Sequence, residues 1–215
     1  MTRTISKRAY DASSRRKNAE GTRQSIIDAA RRLFLEKGYA ATTMPAIAQA
    51  AGIALDTVYA TVGKKATLFR LLIEMAISGT DRAVPAEERE YVRAIREEPD
   101  PARKLQLYAG AIGSIQPRLA PLFRVLQGAA PLEPELEALW QGISKRRAAN
   151  MRLLARELAA TGRLRPDLSV ARAADIIWSM NSPEFYLLLV EQCDWSTAEF
   201  ERWLGDAWVR LLLKK

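Results

Sequence analysis

The 215-residue sequence contains no histidine and one cysteine, Cys193. One cysteine forms no disulfide within its chain, and a zinc site needs about four Cys or His ligands. Zinc sites and most metal-assisted or triad chemistry are therefore excluded. No apolar run reaches the ~18 residues of a membrane-spanning helix. We therefore expect a cytoplasmic protein that uses no metal or cofactor and has no membrane partner.

Alternating apolar patterns typical of strands are also missing, and the periodicity is helical almost throughout. Proline and glycine residues divide the chain into segments, so we predict an all-α fold. The first helices, described below, lie within residues 22–65. The remaining helices are predicted over 64–79, 86–98, 101–115, 118–128, 133–161, 169–191 and 196–213.

Charge is distributed unevenly along the chain. The 33 basic and 25 acidic residues give a net charge of +8. Residues 1–65 contribute 12 basic and 5 acidic side chains, so nearly all of the excess is N-terminal. Residues 1–21, which include Arg15, Arg16 and Lys17, lack apolar periodicity and are expected to form a basic, flexible arm. Such an arm is either a solvated tail or a contact for nucleic acid.

Residues 22–65 read as three helices. Thr22 can cap a first helix that ends at Gly38. Thr43 can cap a second helix that ends at Gly52, and a third is predicted over 54–60. Two short helices joined by a tight turn form a helix-turn-helix, which either binds DNA or is an ordinary helical hairpin.

Several donor side chains lie near the ends of these helices and are suited to phosphate oxygens. Asp56 is an exception, since its carboxylate would repel a polyanion. It can accept a hydrogen bond from cytosine N4 or stabilise the start of the third helix. The donors are Thr43, Thr57, Tyr59 and Lys65.

Residues 22–72, TRQSIIDAARRLFLEKGYAATTMPAIAQAAGIALDTVYATVGKKATLFRLL, resemble the DNA-binding domain of the TetR (tetracycline-repressor-type) family of bacterial regulators. The resemblance implies that Tyr59 and Lys65 grip phosphates while Leu55 and Asp56 face base edges. The matching residues recur in order: Ile27, Ala29, Ala30, Leu33, Phe34, Gly38, Tyr39, Thr42, Thr43, Ile47, Ala48, Ala51, Gly52, Ile53, Thr57, Tyr59, Lys65 and Leu68.

Four positions depart from the pattern of that family. Ala46 replaces an acid and Ala54 replaces a serine, which weakens helix capping. Thr61 replaces an aromatic residue or His and Val62 replaces Phe, which removes bulk where the third helix meets the fourth.

Residues 66–215 are predicted to form a second domain whose last two helices are unusually apolar. One internal bundle could bury them, but a homodimer interface is favoured, and the family resemblance implies the same two-helix dimer. Pro183 is expected to kink the first of these helices near Ser182. The predicted interface residues are Phe185, Leu188, Phe200, Trp203, Ala207, Trp208 and Leu211.

Aromatic and methionine side chains on the middle helices could line a ligand cavity or simply fill the core. Candidate polar anchors are Gln106, Gln116, Asn150 and Asn181, and the basic residues 145–147 are expected to be solvated. The predicted ligand-binding residues are Tyr108, Phe123, Trp140, Met151, Trp178 and Met180.

The sequence thus predicts a homodimeric, ligand-responsive DNA-binding regulator, most simply a repressor. It would bind a palindromic operator and be released by a small, largely apolar effector. The alternative is an architectural DNA-binding protein without an effector, which would show no preference for a palindrome. An enzyme is not expected, because the acidic residues lie mainly in solvated runs and no catalytic group is evident.

Overall fold

The computed structural model describes the backbone of residues 6–214 and the side chains of residues 14–214. Within this range the chain is helical, and only an isolated bridge between Leu164 and Leu213 has β geometry. The all-α prediction is confirmed. The helices are α1 Ser6–Ala41, α2 Met44–Ala51, α3 Leu55–Val62, α4 Lys65–Ser78, α5 Glu90–Glu97, α6 Pro101–Ala129, α7 Pro134–Ala160, α8 Val170–Met180, α9 Pro183–Leu187 and α10 Thr197–Leu212.

Two compact units make up the chain, and they divide after Leu72. The boundary predicted at residue 65 lies earlier, at the start of α4, because α4 contributes residues to both units. No helix among residues 6–214 is long and apolar enough to cross a membrane.

Helix α1 begins well before the predicted start at Thr22. The expected flexible arm is helical from Ser6 onward, and residues 1–5 lie outside the described part of the chain. The segment contains helix formers such as Ala, Arg and Lys, and Arg16 pairs with Glu20 one turn away at 3.1 Å. Gly38, the predicted stop, marks a kink at φ 74°.

The core of the N-terminal unit lies beneath α1. Phe34, Tyr39 and Phe69 pack as three rings, with centroid separations of 4.9–5.6 Å. Thr42 is fully buried, and its single O–H is shared between the carbonyl oxygens of Leu33 and Gly38, which lie 3.0 and 2.8 Å from Oγ1. These bonds occupy carbonyl groups that the end of α1 would otherwise leave unpaired.

Helix α6 runs unbroken through Pro117 and Pro121, so the predicted separation into 101–115 and 118–128 is wrong. An internal proline removes one helical hydrogen bond and costs about 3 kcal/mol. Buried residues on both sides of Pro117, including Ile115 and Leu119, offset that cost because α6 packs against α5, α7, α9 and α10.

The helix predicted over 169–191 is broken at Pro183, as expected. Helix α8 ends at Met180, and α9 begins at Pro183 with Ser182 as its N-cap. A π-helical turn follows over Leu188–Gln192. The Ser182 hydroxyl accepts a hydrogen bond from the Phe185 N–H at 3.1 Å.

Helix α10 starts with a capping box formed by Ser196 and Glu199. Its buried face packs on α6 through small residues, since a Cβ at Gly205 would lie 3.4 Å from Ala109 Cβ. Gly113 is tighter: a Cβ there would lie 2.6 Å from Glu201 Oε2 and 3.0 Å from Glu201 Cβ.

The close approach at Gly113 can be tested against another glycine of α6, Gly128, where an added Cβ meets nothing within 4 Å. Alanine stabilises a helix interior relative to glycine by about 0.5–1 kcal/mol, but overpacking costs about 1–3 kcal/mol. We therefore expect Gly113→Ala to be less stable than Gly128→Ala, as measured by urea unfolding. Equal stabilities would show that Glu201 moves aside at no cost.

Candidate nucleic-acid interface and ligand cavity

The start and end of α2 are both defined by local chemistry. The Thr43 hydroxyl accepts from the Ala46 N–H at 3.2 Å, and Pro45 occupies the first turn. Gly52 ends the helix in the left-handed region at φ 69°, and its N–H bonds the carbonyl oxygens of Ala48 and Gln49. The predicted cap and stop are both present, so the turn into α3 is fixed.

Helix α3 has one buried and one exposed side. Val58 and Val62 are buried, whereas Thr57 and Tyr59 are exposed, with 46% of Tyr59 accessible. Leu55 is partly exposed. A short helix held by one face and open on the other can enter the major groove.

The departures from the family pattern have local consequences. Ala54 is the N-cap of α3 and makes no side-chain capping bond. Asp56 lies in the first turn, where the positive end of the helix dipole favours a carboxylate. The Thr61 hydroxyl donates to the Thr57 carbonyl oxygen at 2.7 Å, and Val62 remains buried despite its smaller size.

Lys65 has a structural contact that the sequence did not predict. Its ammonium donates to the Tyr39 carbonyl oxygen at 3.0 Å and lies 4.1 Å from the Tyr39 ring centroid. The contact connects the start of α4 to the end of α1 and includes a cation–π interaction. An ammonium has three N–H donors, so this bond is compatible with a phosphate contact.

The basic residues Arg15, Arg16 and Lys17 are exposed on α1. Their charges are therefore presented on a helix instead of a flexible arm.

A cavity of about 570 Å³ lies within the C-terminal unit. Residues of α4, α5, α6, α7 and the segment before α5 line it, together with Asn181 and Pro183 at the break between α8 and α9. A smaller cavity of about 150 Å³ shares Tyr108 and Met151 with it and extends towards Leu154.

Of the six predicted ligand-binding residues, only Tyr108 and Met151 line the larger cavity. Phe123 and Met180 are buried core residues, and Trp140 is half-buried outside the lining. Trp178 is 39% exposed, and the Arg147 guanidinium lies 5.5 Å from its ring. Helical spacing identified apolar side chains but not which of them face the core, the cavity or solvent.

The polar lining was partly predicted. Gln116, Asn150 and Asn181 line the cavity, whereas Gln106 lies in a separate groove beside Glu201. Arg147 is expected to be solvated with its neighbours, but it is half-buried and lines the cavity. Lys145 and Arg146 are exposed, but Arg147 follows Ile143 by one helical turn and shares its cavity-facing side.

Asn181 is the centre of the polar wall. Its side-chain oxygen accepts from Arg147 at 2.5 Å, and its amide nitrogen donates to the Tyr108 hydroxyl at 2.7 Å. Its backbone oxygen accepts from Gln116 Nε2 at 2.8 Å. Burial raises the pKa of the Tyr108 hydroxyl well above its ordinary value, so this group is neutral at pH 7.

On the side of the cavity formed by α4, Glu74 forms ion pairs with two arginines. Glu74 lies 3.6 Å from Arg146 and 3.9 Å from Arg89. Within the described residues, no group of three Cys, Asp or Glu side chains is arranged to hold a metal ion.

The predicted interface residues divide into two sets. Phe200 and Trp208 are fully buried within their own chain, so the prediction that they lie at an interface is wrong. Trp208 instead stacks on Tyr108 at 5.3 Å. Phe185 and Ala207 are half-buried. Three apolar side chains remain substantially exposed: Leu188, Trp203 and Leu211.

These features define a helix-turn-helix DNA-binding protein with a second helical unit that encloses a cavity. Residues 26–72 match the sequence model of the bacterial regulatory proteins of the tetR family. Comparison with curated proteins finds no significant match.

Solved structures support the same fold over most of the chain. NalD, described as the secondary repressor of the MexAB-OprM multidrug efflux pump in Pseudomonas aeruginosa, is 24% identical. The match covers 93% of this chain and 99% of NalD, with a TM-score of 0.71. PfmR, a TetR-family regulator from Thermus thermophilus, is 25% identical over 86% of this chain and 97% of its own, with a TM-score of 0.65.

The structure of a SmeT–triclosan complex is 18% identical, covers 90% of this chain and 92% of its own, and gives a TM-score of 0.61. Residues 26–72 therefore match the DNA-binding domain of the tetR family, and the chain as a whole has the fold of these TetR-type structures.

The roles of Tyr59 and Lys65 can be distinguished by experiment, because of the two only Lys65 makes the contact with Tyr39 described above. We expect Tyr59→Phe to leave the free energy of unfolding unchanged and to weaken binding to every duplex by a similar factor. Lys65→Met should weaken binding and also destabilise the N-terminal unit. Duplex titrations and urea unfolding measure the two effects. A stability loss in Tyr59→Phe, or none in Lys65→Met, would contradict these roles.

Proposed function

We propose that the protein is a repressor that binds a palindromic operator as a homodimer and is released by a small-molecule effector. The observation that carries this proposal is the asymmetry of α3, which buries Val58 and Val62 and exposes Thr57 and Tyr59 beside a capped α2. The descriptions of NalD as a repressor and of SmeT in complex with triclosan agree with it.

On the operator, hydroxyl and ammonium groups at helix ends would contact phosphates and fix the register. These groups belong to Thr43, Thr57, Tyr59 and Lys65. Leu55 and Asp56, in the first turn of α3, would face base edges. Arg15, Arg16 and Lys17 on α1 would add phosphate contacts that carry no sequence information.

Dimerisation would use the exposed apolar side chains of the last helices. Trp203 stacks against Phe185 at 6.0 Å and meets Trp195 edge-on at 5.5 Å, so one face of this aromatic cluster is already fixed within the chain. Leu211 lies two turns further along α10. Exposed aromatic anchors of this kind are typical of interface centres.

Effector binding would act through α4. This helix carries Lys65, bonded to Tyr39, at one end and the cavity residues Glu74 and Ile77 towards the other. A ligand that moved the second half of α4 would therefore move the first. Linkage requires that operator and effector weaken each other's binding by the same factor.

We expect binding to prefer a palindromic duplex, selected from random DNA, over a scrambled duplex of equal length. A dimer that neutralises ~6–10 phosphates should lose about 10³–10⁵-fold in affinity between about 50 and 200 mM salt. Fluorescence anisotropy at several salt concentrations measures both. Equal affinity for the two duplexes would favour the architectural, effector-free alternative.

The double variant Trp203→Gln, Leu211→Gln should be folded but monomeric, and its operator affinity should fall because one half-site offers too few contacts. Sedimentation measures the oligomeric state, and circular dichroism checks the fold. Leu132→Gln is the matched control, because Leu132 is 81% exposed outside the last helices. A dimer in the double variant would place the interface elsewhere.

A further inference from the structure

Charge in the cavity is unbalanced. Three arginines line it, Arg89, Arg146 and Arg147, against the carboxylates of Glu74 and Glu87. Glu74 pairs with Arg89 and Arg146. Among the described residues, no carboxylate lies within 4.0 Å of Arg147, and Glu184 acts on it only at longer range.

The hydrogen-bond partners of Arg147 are neutral. Its guanidinium donates to the Trp178 carbonyl oxygen at 3.0 Å and to Asn181 Oδ1 at 2.5 Å. Burial lowers the pKa of Arg147, which means that the surroundings disfavour its positive charge. A partly buried charge is stabilised best by an opposite charge with hydrogen bonds, and Arg147 has no such anionic partner among the described residues.

Gln116 provides a second, independent observation. The side chain is only 2% exposed, and its Nε2 donates to the Asn181 carbonyl oxygen. This bond fixes the orientation of the amide, because only the nitrogen can donate. The buried Oε1 has no hydrogen-bond partner, although Gln116 lines the cavity. An unsatisfied buried acceptor is unfavourable, and a hydrogen-bond donor on a ligand would remove that penalty.

Five large apolar side chains also line the cavity: Ile77, Ile112, Ile115, Leu119 and Ile143. A volume of about 570 Å³ is in the range of sites for small organic molecules. Gln116 and Arg147 both bond Asn181, so the acceptor and the cation lie on the same side of this space.

We propose that the cavity binds an organic acid whose carboxylate pairs with Arg147, whose hydroxyl or N–H group donates to Gln116 Oε1, and whose hydrocarbon part occupies the apolar wall. The ligand is therefore an amphipathic anion, not the largely apolar effector expected from the sequence. Its role as an effector rests on the proposed repressor function, but its binding does not.

The test uses three probes with the same hydrocarbon chain: 2-hydroxydecanoate, decanoate and 2-hydroxydecanamide. Calorimetry at pH 7 should give at least about tenfold tighter binding for 2-hydroxydecanoate than for its amide, because a charged hydrogen bond is worth about 1.5–3 kcal/mol. Decanoate, which lacks the hydroxyl, should bind about threefold to tenfold more weakly than 2-hydroxydecanoate.

A separate variant tests each of the two binding preferences. Arg147→Met should abolish the preference for the acid over the amide, and Gln116→Met should abolish the preference for the hydroxylated acid. Lys145→Met is the control, because Lys145 is exposed on the same helix and does not line the cavity. If Arg147→Met does not fold, Arg147→Lys should fold and retain a reduced preference for the acid.

The proposal is overturned if the wild-type protein binds the amide as tightly as the acid, binds none of the probes, or loses its selectivity equally in Lys145→Met. Operator titration with and without 2-hydroxydecanoate is the separate readout. Acid binding that depends on Arg147 but leaves operator affinity unchanged would retain the ligand class and reject release by an effector. Failure to bind any operator would reject the repressor function alone.

Discussion

The break between α8 and α9 is the constraint on which the cavity depends. Pro183 has no N–H to donate to the preceding turn of helix. The nearby N–H groups bond to other local acceptors. Ser182 N–H bonds the Ser179 carbonyl oxygen at 3.3 Å, and Phe185 N–H bonds the Ser182 hydroxyl. The carbonyl groups of Trp178 and Asn181 are left for other partners. Arg147 and Gln116 supply them, which places these two polar side chains on the wall of the cavity beside the break.

The same break explains why Arg147 is half-buried while Lys145 and Arg146 are exposed. A guanidinium is costly to bury unless several acceptors meet it. Trp178 and Asn181 present two such acceptors at the end of α8, and the Trp178 ring lies beneath the charge. The polar wall is therefore a consequence of backbone groups that the helix break left unpaired.

Local signals in the sequence predicted the elements that local chemistry controls. Thr43 and Gly52 bound α2 as expected, and Pro183 breaks the long helix where its missing N–H requires. Pro117 carries the same local signal, yet α6 continues because packing on several helices outweighs one lost bond. The difference is tertiary and cannot be read from the residues around either proline.

Predictions of site residues are limited in the same way, because the sequence does not show which way a side chain on a helix faces. Trp203 and Trp208 lie five residues apart on α10, and both fit an apolar stripe. Only Trp208 faces α6, where it stacks on Tyr108, whereas Trp203 lies at the surface. Which tryptophan is core depends on the rotation of α10, and that rotation follows from the close approach at Gly113 and Gly205. The spacing of these small residues on two distant helices is not a local pattern.

Two parts of the cavity wall could respond to a bound anion, and their surroundings differ. On α4, Glu74 meets Arg146 and Arg89 at 3.6 and 3.9 Å, and the Arg146 side chain is 62% exposed, so water screens much of that attraction. At the helix break, Arg147 is half-buried and donates to Asn181 Oδ1 at 2.5 Å. An anion that paired with Arg147 would compete with Asn181 Oδ1 for the same guanidinium, so Asn181 is the residue of the break that would respond to it. Since Asn181 directly precedes the cap of α9, we infer that occupancy is felt at the last helices as well as at α4.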